Sequence, residues 1–281
     1  MSETDFAYCA RTLRRQDHDR YLTALFAPPD RRGALFALYA FNQELARARE
    51  SVREPIMGLM RLQWWRDALR EIAEGRPRAH AVIRPLAEAI AAYGLELRLL
   101  ERLVDSRERD MASEPPADLP ALLDYADGSS ATLTVLALKV LGPPSPAVED
   151  AGRNLGIAWA LIGIARAIPF HSAQRRLYLP ADLTAKADLS VGNLFGRGSS
   201  PALRPVVEAL ANEARRRLTE VRREGARLPR RYHPVFLQAS LAAGHLRRLE
   251  AAAYDPFDAR VQGAPPGRIW GLAWRRLVGI Y

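Results

Sequence analysis

The chain of 281 residues carries a single cysteine, Cys9. That excludes an internal disulfide framework and any CxxC-type zinc site. Lysine is nearly missing: Lys139 and Lys186 are the only two, so the basic charge is almost wholly arginine. No apolar run reaches the roughly 20 residues that a spanning helix needs; the longest, Leu155 to Ala165, stops at Arg166. The five histidines, His18, His80, His171, His233 and His245, form no HExxH pair, and no glycine-rich phosphate loop occurs. The first fifteen residues carry Glu3 and Asp5 and lack an apolar core. They therefore read neither as a signal peptide nor as an acid-poor transit peptide. The expectation is a soluble or peripheral protein, cytoplasmic if bacterial and peripheral on the inner membrane at most. Strand-like alternation is also missing, which argues against a sheet.

What the chain does have is helical periodicity. Leu35, Leu38, Asn42, Leu45, Arg49 and Val52 recur at three or four residues. Leu86, Ile90, Tyr93, Leu97 and Leu100 do the same, as do Val206, Val207, Leu210, Ala214 and Leu218, then Phe236, Leu237, Leu241, His245, Leu246 and Leu249. Such stripes mark amphipathic helices. Pro- and Gly-rich breaks fall at 27–32, 113–120, 142–146, 192–201 and 255–266. None is long enough to be a flexible linker. The reading is an all-α, single-domain fold over 1–281, with eight to ten helices and with 1–15 and 255–281 at the periphery. The balance of +9, from 41 Lys+Arg against 32 Asp+Glu, favours an anionic partner. Because the arginines spread over many helix faces, nucleic acid is not the expected one.

Two segments are unusual. The stretch Tyr39 to Glu50 sets Arg47 and Arg49 among Glu44 and Glu50, and Trp64-Trp65 follow on a helix that reads as core. The helix from about Ala151 to Arg166 is apolar nearly all round and should be central. Its Gly156 and Gly163 suit close helix approach or a ligand against the backbone. Arg166 at its end must meet a carboxylate, helix-end carbonyls or an anion, since a buried charge cannot stay unpaired. Pro169 should end or kink the helix near Ile168, so positions 167 and 171 need not share a face.

These segments resemble the squalene/phytoene synthase family. The resemblance rests on Tyr21, Leu38-Tyr39-Ala40-Phe41, Trp65, Val104-Asp105, Asp110-Met111, Tyr125, Leu155-Gly156-x-Ala158, Arg166 and Arg176-Leu177-Tyr178-Leu179-Pro180. It implies an isoprenoid-synthase-type helical fold around a central cavity. The family joins two prenyl diphosphates head to head through Mg²⁺ held by two DxxxD pairs. An i,i+4 pair shares one helix face, and Mg²⁺ wants oxygen ligands. Carried over, the first pair falls on Ala46 and Glu50 and the second on Ala167 and His171, with Gly163 where the family has asparagine. One of four carboxylates remains, and imidazole is a poor substitute for Mg²⁺.

A narrower resemblance is to a metal-site-deficient branch, whose known member is a mitochondrial assembly factor for respiratory complex I. It rests on Asn42-x-Glu44-Leu45-Ala46, Gly58-Leu59-Met60-Arg61-x-Gln63, Val104-Asp105-x-Arg107-Glu108 and Arg166-Ala167-x-Pro169-Phe170-His171. It implies a non-catalytic protein with no metal or other cofactor, whose partners are complex I subunits or other assembly proteins. Two alternatives stay open. One is a working Mg²⁺-dependent prenyltransferase with relocated acids, drawn from Glu44, Glu50, Asp105, Glu108 and Asp110. The other is a metal-independent module for a prenyl diphosphate or anionic lipid, with Arg47, Arg49, Arg166, Tyr125 and Tyr178 as ligand-binding residues. Ser129, Ser130 and Thr132 line the pocket or cap a helix. Trp270, Trp274, Leu277 and Tyr281, beside Arg268, Arg275 and Arg276, suit either a membrane interface or a last docked helix.

Overall fold

The computed structural model describes residues 3–50, 52, 54–225, 228–263 and 271–272. Among them there are fifteen α-helical segments and no strand. The chain runs through α1 (Glu3–Gln16), α2 (His18–Ala24), α3 (Pro29–Glu50), α4 (Pro55–Ala73), α5 (Ile83–Tyr93) and α6 (Leu97–Ser106). A 3₁₀ turn, Arg107–Met111, leads to α7 (Leu119–Ala126), a π-helical turn at Asp127–Ala131, and α8 (Thr132–Leu141). Then come α9 (Pro146–Arg166), α10 (Ile168–Ala173), α11 (Ala181–Lys186), α12 (Val191–Arg197), α13 (Leu203–Gly225), α14 (His233–Ala251) and α15 (Ala259–Gln262).

Helix starts explain the two long central elements. Proline stands at the first turn of α3, α4 and α9, where its missing N–H costs nothing and its fixed φ suits the helix. So α3 begins at Pro29 and α9 at Pro146, several residues before their apolar stripes, and the proline-rich breaks are shorter than composition implied. The break expected at 192–201 likewise holds a short helix, α12, capped by Ser190 accepting from the Asn193 N–H at 3.3 Å.

One core joins α3, α8, α9, α13 and α14. Leu38, Phe41 and Leu45 of α3 are fully buried, as are Leu155, Ala158 and Leu161 of α9 and Phe236 of α14. The α13 stripe predicted from sequence is buried from Val206 to Leu218. Trp65 is buried against Phe41, but Trp64 is 39% exposed and is capped by the Arg78 guanidinium at 5.0 Å. The tryptophan pair is thus half core and half surface, because adjacent helix residues point about 100° apart. Arg268, Trp270, Trp274, Arg275, Arg276, Leu277 and Tyr281, the candidate membrane-facing or docked helix, lie outside the described residues.

The two glycines of α9 differ. A Cβ at Gly156 would lie 2.4 Å from Ala131 Cα and 2.7 Å from the Ser130 carbonyl oxygen. Backbone meets backbone there, with no flexible side chain to yield. At Gly163 a Cβ would meet nothing within 4 Å. Gly156→Ala is expected to destabilise the fold by about 1–3 kcal/mol through overpacking. Gly163→Ala should be neutral or stabilising by up to about 1 kcal/mol, from helix propensity. Urea unfolding of both variants checks this; equal losses would contradict it.

Candidate functional site

The cavity opens where the C-terminal half of α3 faces the end of α9. Its volume is about 230 Å³. From α3 it receives Asn42, Ala46, Arg49 and Glu50, and from α9 and α10 it receives Ala160, Gly163, Ala167 and His171. All four degenerate metal-motif positions therefore face one space. The helix does break where Pro169 required it: α9 ends at Arg166, Ala167 has φ −85° and ψ 1°, and α10 restarts at Ile168. The break does not part the pair, because the His171 N–H donates to the Ala167 carbonyl at 2.9 Å and carries the turn forward.

The donor set facing this space does not suit Mg²⁺. Positions 46 and 167 present methyl groups, and His171 presents an imidazole. Burial, then the nearby Arg176 cation, pushes the His171 pKa down to about 4. Its ring lies 4.5 Å from the Tyr178 ring, centroid to centroid. Glu50 sits at the mouth with its pKa raised, chiefly by desolvation and against the pull of Arg176 and Arg107. Asp110 is buried and committed: it accepts from the Tyr125 hydroxyl at 2.8 Å and pairs with Arg107 at 3.4 Å. No group of three His, Cys, Asp or Glu that could hold a metal occurs among the described residues.

Arginines line the cavity instead. Arg107 donates to Tyr125 Oη at 2.9 Å and to Asn42 Oδ1 at 3.3 Å as well as to Asp110. Burial works against its charge, but neighbouring Tyr125, Asp110 and Tyr178 together keep its pKa above the ordinary guanidinium value. Tyr125 and Tyr178 are both pushed well above the ordinary phenol range, first by burial, so they are neutral donors. From α2, Arg20 lines the cavity, is buried, pairs with Asp17 at 2.8 Å and lies 5.6 Å from the Trp159 ring. At the mouth, Arg49 donates to the Val52 carbonyl at 3.1 Å, and Arg176 donates to the Arg49 carbonyl at 3.2 Å. Ser129 and Ser130 reach the wall from the π turn, a feature that often marks functional sites. Thr132 instead turns back to the Asp127 carbonyl at 2.9 Å.

Among the residues singled out from sequence, Arg49, Tyr125 and Tyr178 line the cavity together. Arg47 and Arg166 do not. Arg47 projects outward and pairs with Glu44 at 3.7 Å, because it lies two positions from Arg49 and so on another helix face. Arg166 points toward α14, with Nη1 3.4 Å from His245 Nε2, and that imidazole also meets Asp19 at 3.0 Å. Asp105 and Glu108 face outside, where both bind Arg66. The sequence reading missed Arg20, Arg107 and Arg176 as cavity residues. Arg107 and Arg176 stood within the family-like segments, so the signal was present. Arg20 had only its i,i+3 spacing from Asp17.

The family model for squalene/phytoene synthase matches residues 13–268. The chain belongs to the squalene/phytoene synthase family. A rat protein named NADH dehydrogenase (ubiquinone) complex I, assembly factor 6, is 31% identical over 272 residues, covering 96% of this chain and 82% of that one. The presqualene diphosphate synthase of Rhodopseudomonas palustris is 26% identical over 235 residues, covering 80% of this chain and 84% of that one. Among solved structures, a dehydrosqualene synthase in complex with ligand superposes with a TM-score of 0.85 at 18% identity, covering 98% and 96% of the two chains. The fold is therefore the all-helical one that the synthases share.

His171 supplies a pH prediction for this family member. Its folded pKa is lowered from 6.5 to about 4. Between those values the unfolded chain binds more protons, so stability is complete above about pH 6.5 and is lost as pH falls toward 4. His80 and His245 are lowered too and act in the same direction. The pH dependence of the urea midpoint should be shallower in His171→Asn than in the parent chain across that window. Identical slopes would refute the assignment.

Proposed function

We propose that this squalene/phytoene synthase family member is a non-catalytic protein that assists the assembly or stability of respiratory complex I. The observation that carries the reading is the similarity, over nearly the whole chain, to proteins named as complex I assembly factor 6. The cavity supports it. Its wall offers two methyl groups and a neutral imidazole at three of the four positions where a metal-dependent synthase needs carboxylates. No metal or other cofactor is part of the reading. Complex I subunits or other assembly proteins are the proposed partners. Because no helix among the described residues is long and apolar enough to cross a membrane, any membrane contact is peripheral in this reading.

A second reading concerns the cavity itself. Arg49, Arg107 and Arg176 face it beside the neutral donors Tyr125 and Tyr178. Guanidinium matches phosphate oxygens in geometry and charge, so the cavity is proposed to bind an anion directly, without metal.

Deleting the gene should lower assembled NADH:quinone oxidoreductase in membranes, measured by native gels and NADH oxidation, and a plasmid copy should restore it. Unchanged complex levels would overturn the assembly role. Purified protein given Mg²⁺ and geranylgeranyl diphosphate should release no more pyrophosphate than an Arg176→Ala variant; release above that level would restore the prenyltransferase alternative.

A further inference from the structure

Helix α4 carries two apolar faces, and the fold covers one of them. Gly58, Leu62, Trp65, Ala68 and Leu69 form the buried face. Gly58 permits a close approach there, because a Cβ would run into the Met111 side chain of the 3₁₀ turn. The other face shows Ile56, Met57, Leu59, Met60 and Trp64 to solvent. These are five of the eight large apolar side chains that stand exposed among the described residues, and Ile56 and Met60 are each 60% exposed. Single exposed apolar residues are ordinary on a protein surface, whereas a contiguous group marks an interaction site. The face includes Leu59 and Met60 of the Gly58-Leu59-Met60-Arg61-x-Gln63 run, and neither lines the cavity or joins the core.

The stripe has the dimensions of a helix seat. Ile56 and Met60 stand one turn apart, with Met57 and Trp64 on one flank and Leu59 on the other. From Ile56 to Trp64 it runs about 12 Å at 1.5 Å per residue, which is close to the diameter of one α-helix.

The charges around the stripe select the kind of partner. Arg66, on the Leu59 side, is shared by two exposed carboxylates, Asp105 at 2.7 Å and Glu108 at 2.5 Å. Arg70 pairs with Asp67 at 3.4 Å, and Arg78, which covers Trp64, pairs with Glu71 at 2.5 Å. At this end of α4 four carboxylates therefore stand against three guanidinium groups, in a chain whose balance is +9. Glu54 is exposed at the opposite end, and Arg61 is exposed on the Met57 flank. A helix lying on anionic lipid uses basic residues along its border. Here Arg66, Arg70 and Arg78 are held by carboxylates, and the excess acid suits a partner that brings Lys or Arg beside its apolar face.

We propose that the exposed face of α4 docks an apolar helix of another protein, one bordered by Lys or Arg, the chemistry of the end of a membrane-spanning helix. Ile56, Met57, Met60 and Trp64 receive its apolar side chains, with methionine adapting to an uneven surface. Asp105 and Glu108 receive its basic end. This rests on the assembly reading above and adds to it a surface and a kind of partner subunit.

Photocross-linking of the full chain in its own cells tests this, with Met60→benzoylphenylalanine and, as control, Arg216→benzoylphenylalanine on the exposed side of α13. Adducts are mapped by mass spectrometry. The expected adduct forms from position 60 and not from 216, and it lies in an apolar helical segment of a membrane protein, next to Lys or Arg. Adding Ile56→Asp should lower its yield about fivefold, and adding Glu108→Lys about twofold. Circular dichroism melts should be unchanged, because both side chains are exposed; Ile56→Gln or Glu108→Gln replaces a variant that melts early, with smaller losses expected. No adduct from position 60, equal adducts from both positions, or an adduct with a second copy of this chain or with lipid would overturn the proposal. So would yields indifferent to both substitutions, or pelleting with phosphatidylcholine–cardiolipin vesicles that Ile56→Asp abolishes. The assembly reading fails separately. An adduct in a membrane protein outside complex I, with complex I unchanged on gene deletion, sinks that reading and leaves the docking face. Loss of complex I on deletion that an Ile56→Asp/Met60→Asp chain restores in full sinks the docking face and leaves the assembly role.

Discussion

The buried Arg107 guanidinium is the constraint around which the cavity is built. Its side chain is only 16% exposed. A charge so placed must be matched closely or the fold loses several kcal/mol. The match comes from three directions: Asn42 on α3, Asp110 on its own 3₁₀ turn, and Tyr125 on α7. Tyr125 closes the circuit by donating to Asp110. Each partner lies on a different element, so satisfying one cation fixes three segments relative to one another. That set of bonds ties α3, the 3₁₀ turn and α7 together at the cavity wall.

The rest of the wall follows from what does not need balancing. Two helices bearing carboxylate pairs would repel each other across a narrow space unless cations stood between them. Here Ala46 and Ala167 remove the repulsion at its source. Cationic side chains then occupy the rim, where solvent and backbone carbonyls can serve them. Glu50 remains beside Arg176 and Arg107, whose charges oppose the desolvation that raises its pKa.

Much of this was legible in the sequence. Helical spacing located the buried stripes of α3, α13 and α14, because residues three and four apart share a face whatever the tertiary setting. The family-like segments also located the positions that converge on the cavity. Side-chain direction was less legible. Arg47 and Arg49 looked equivalent, yet a 200° rotation between them sends one outward to Glu44 and the other to the cavity. For Arg166 the sequence leaves a carboxylate, helix-end carbonyls or an anion open, and α14 brings His245 to it from 79 residues away, a contact no local pattern announces. Arg20 was missed for the same reason: its placement between Tyr39 and Trp159 depends on how α2 packs on α3 and α9. The proline at 169 was read correctly as a break, but a break with one intact backbone bond still passes orientation across it.

The contrast between the two glycines of α9 decides where this helix can change. Gly156 is held by backbone on the opposite side, so any side chain there must displace Ala131 or Ser130 main chain. Gly163 has open space in front of it, and the methyls of Ala46 and Ala167 line the same cavity. Packing does not forbid larger side chains at Gly163. The cavity wall can therefore take a side chain at Gly163 without rebuilding the scaffold, whereas the same helix cannot at Gly156, about two turns earlier.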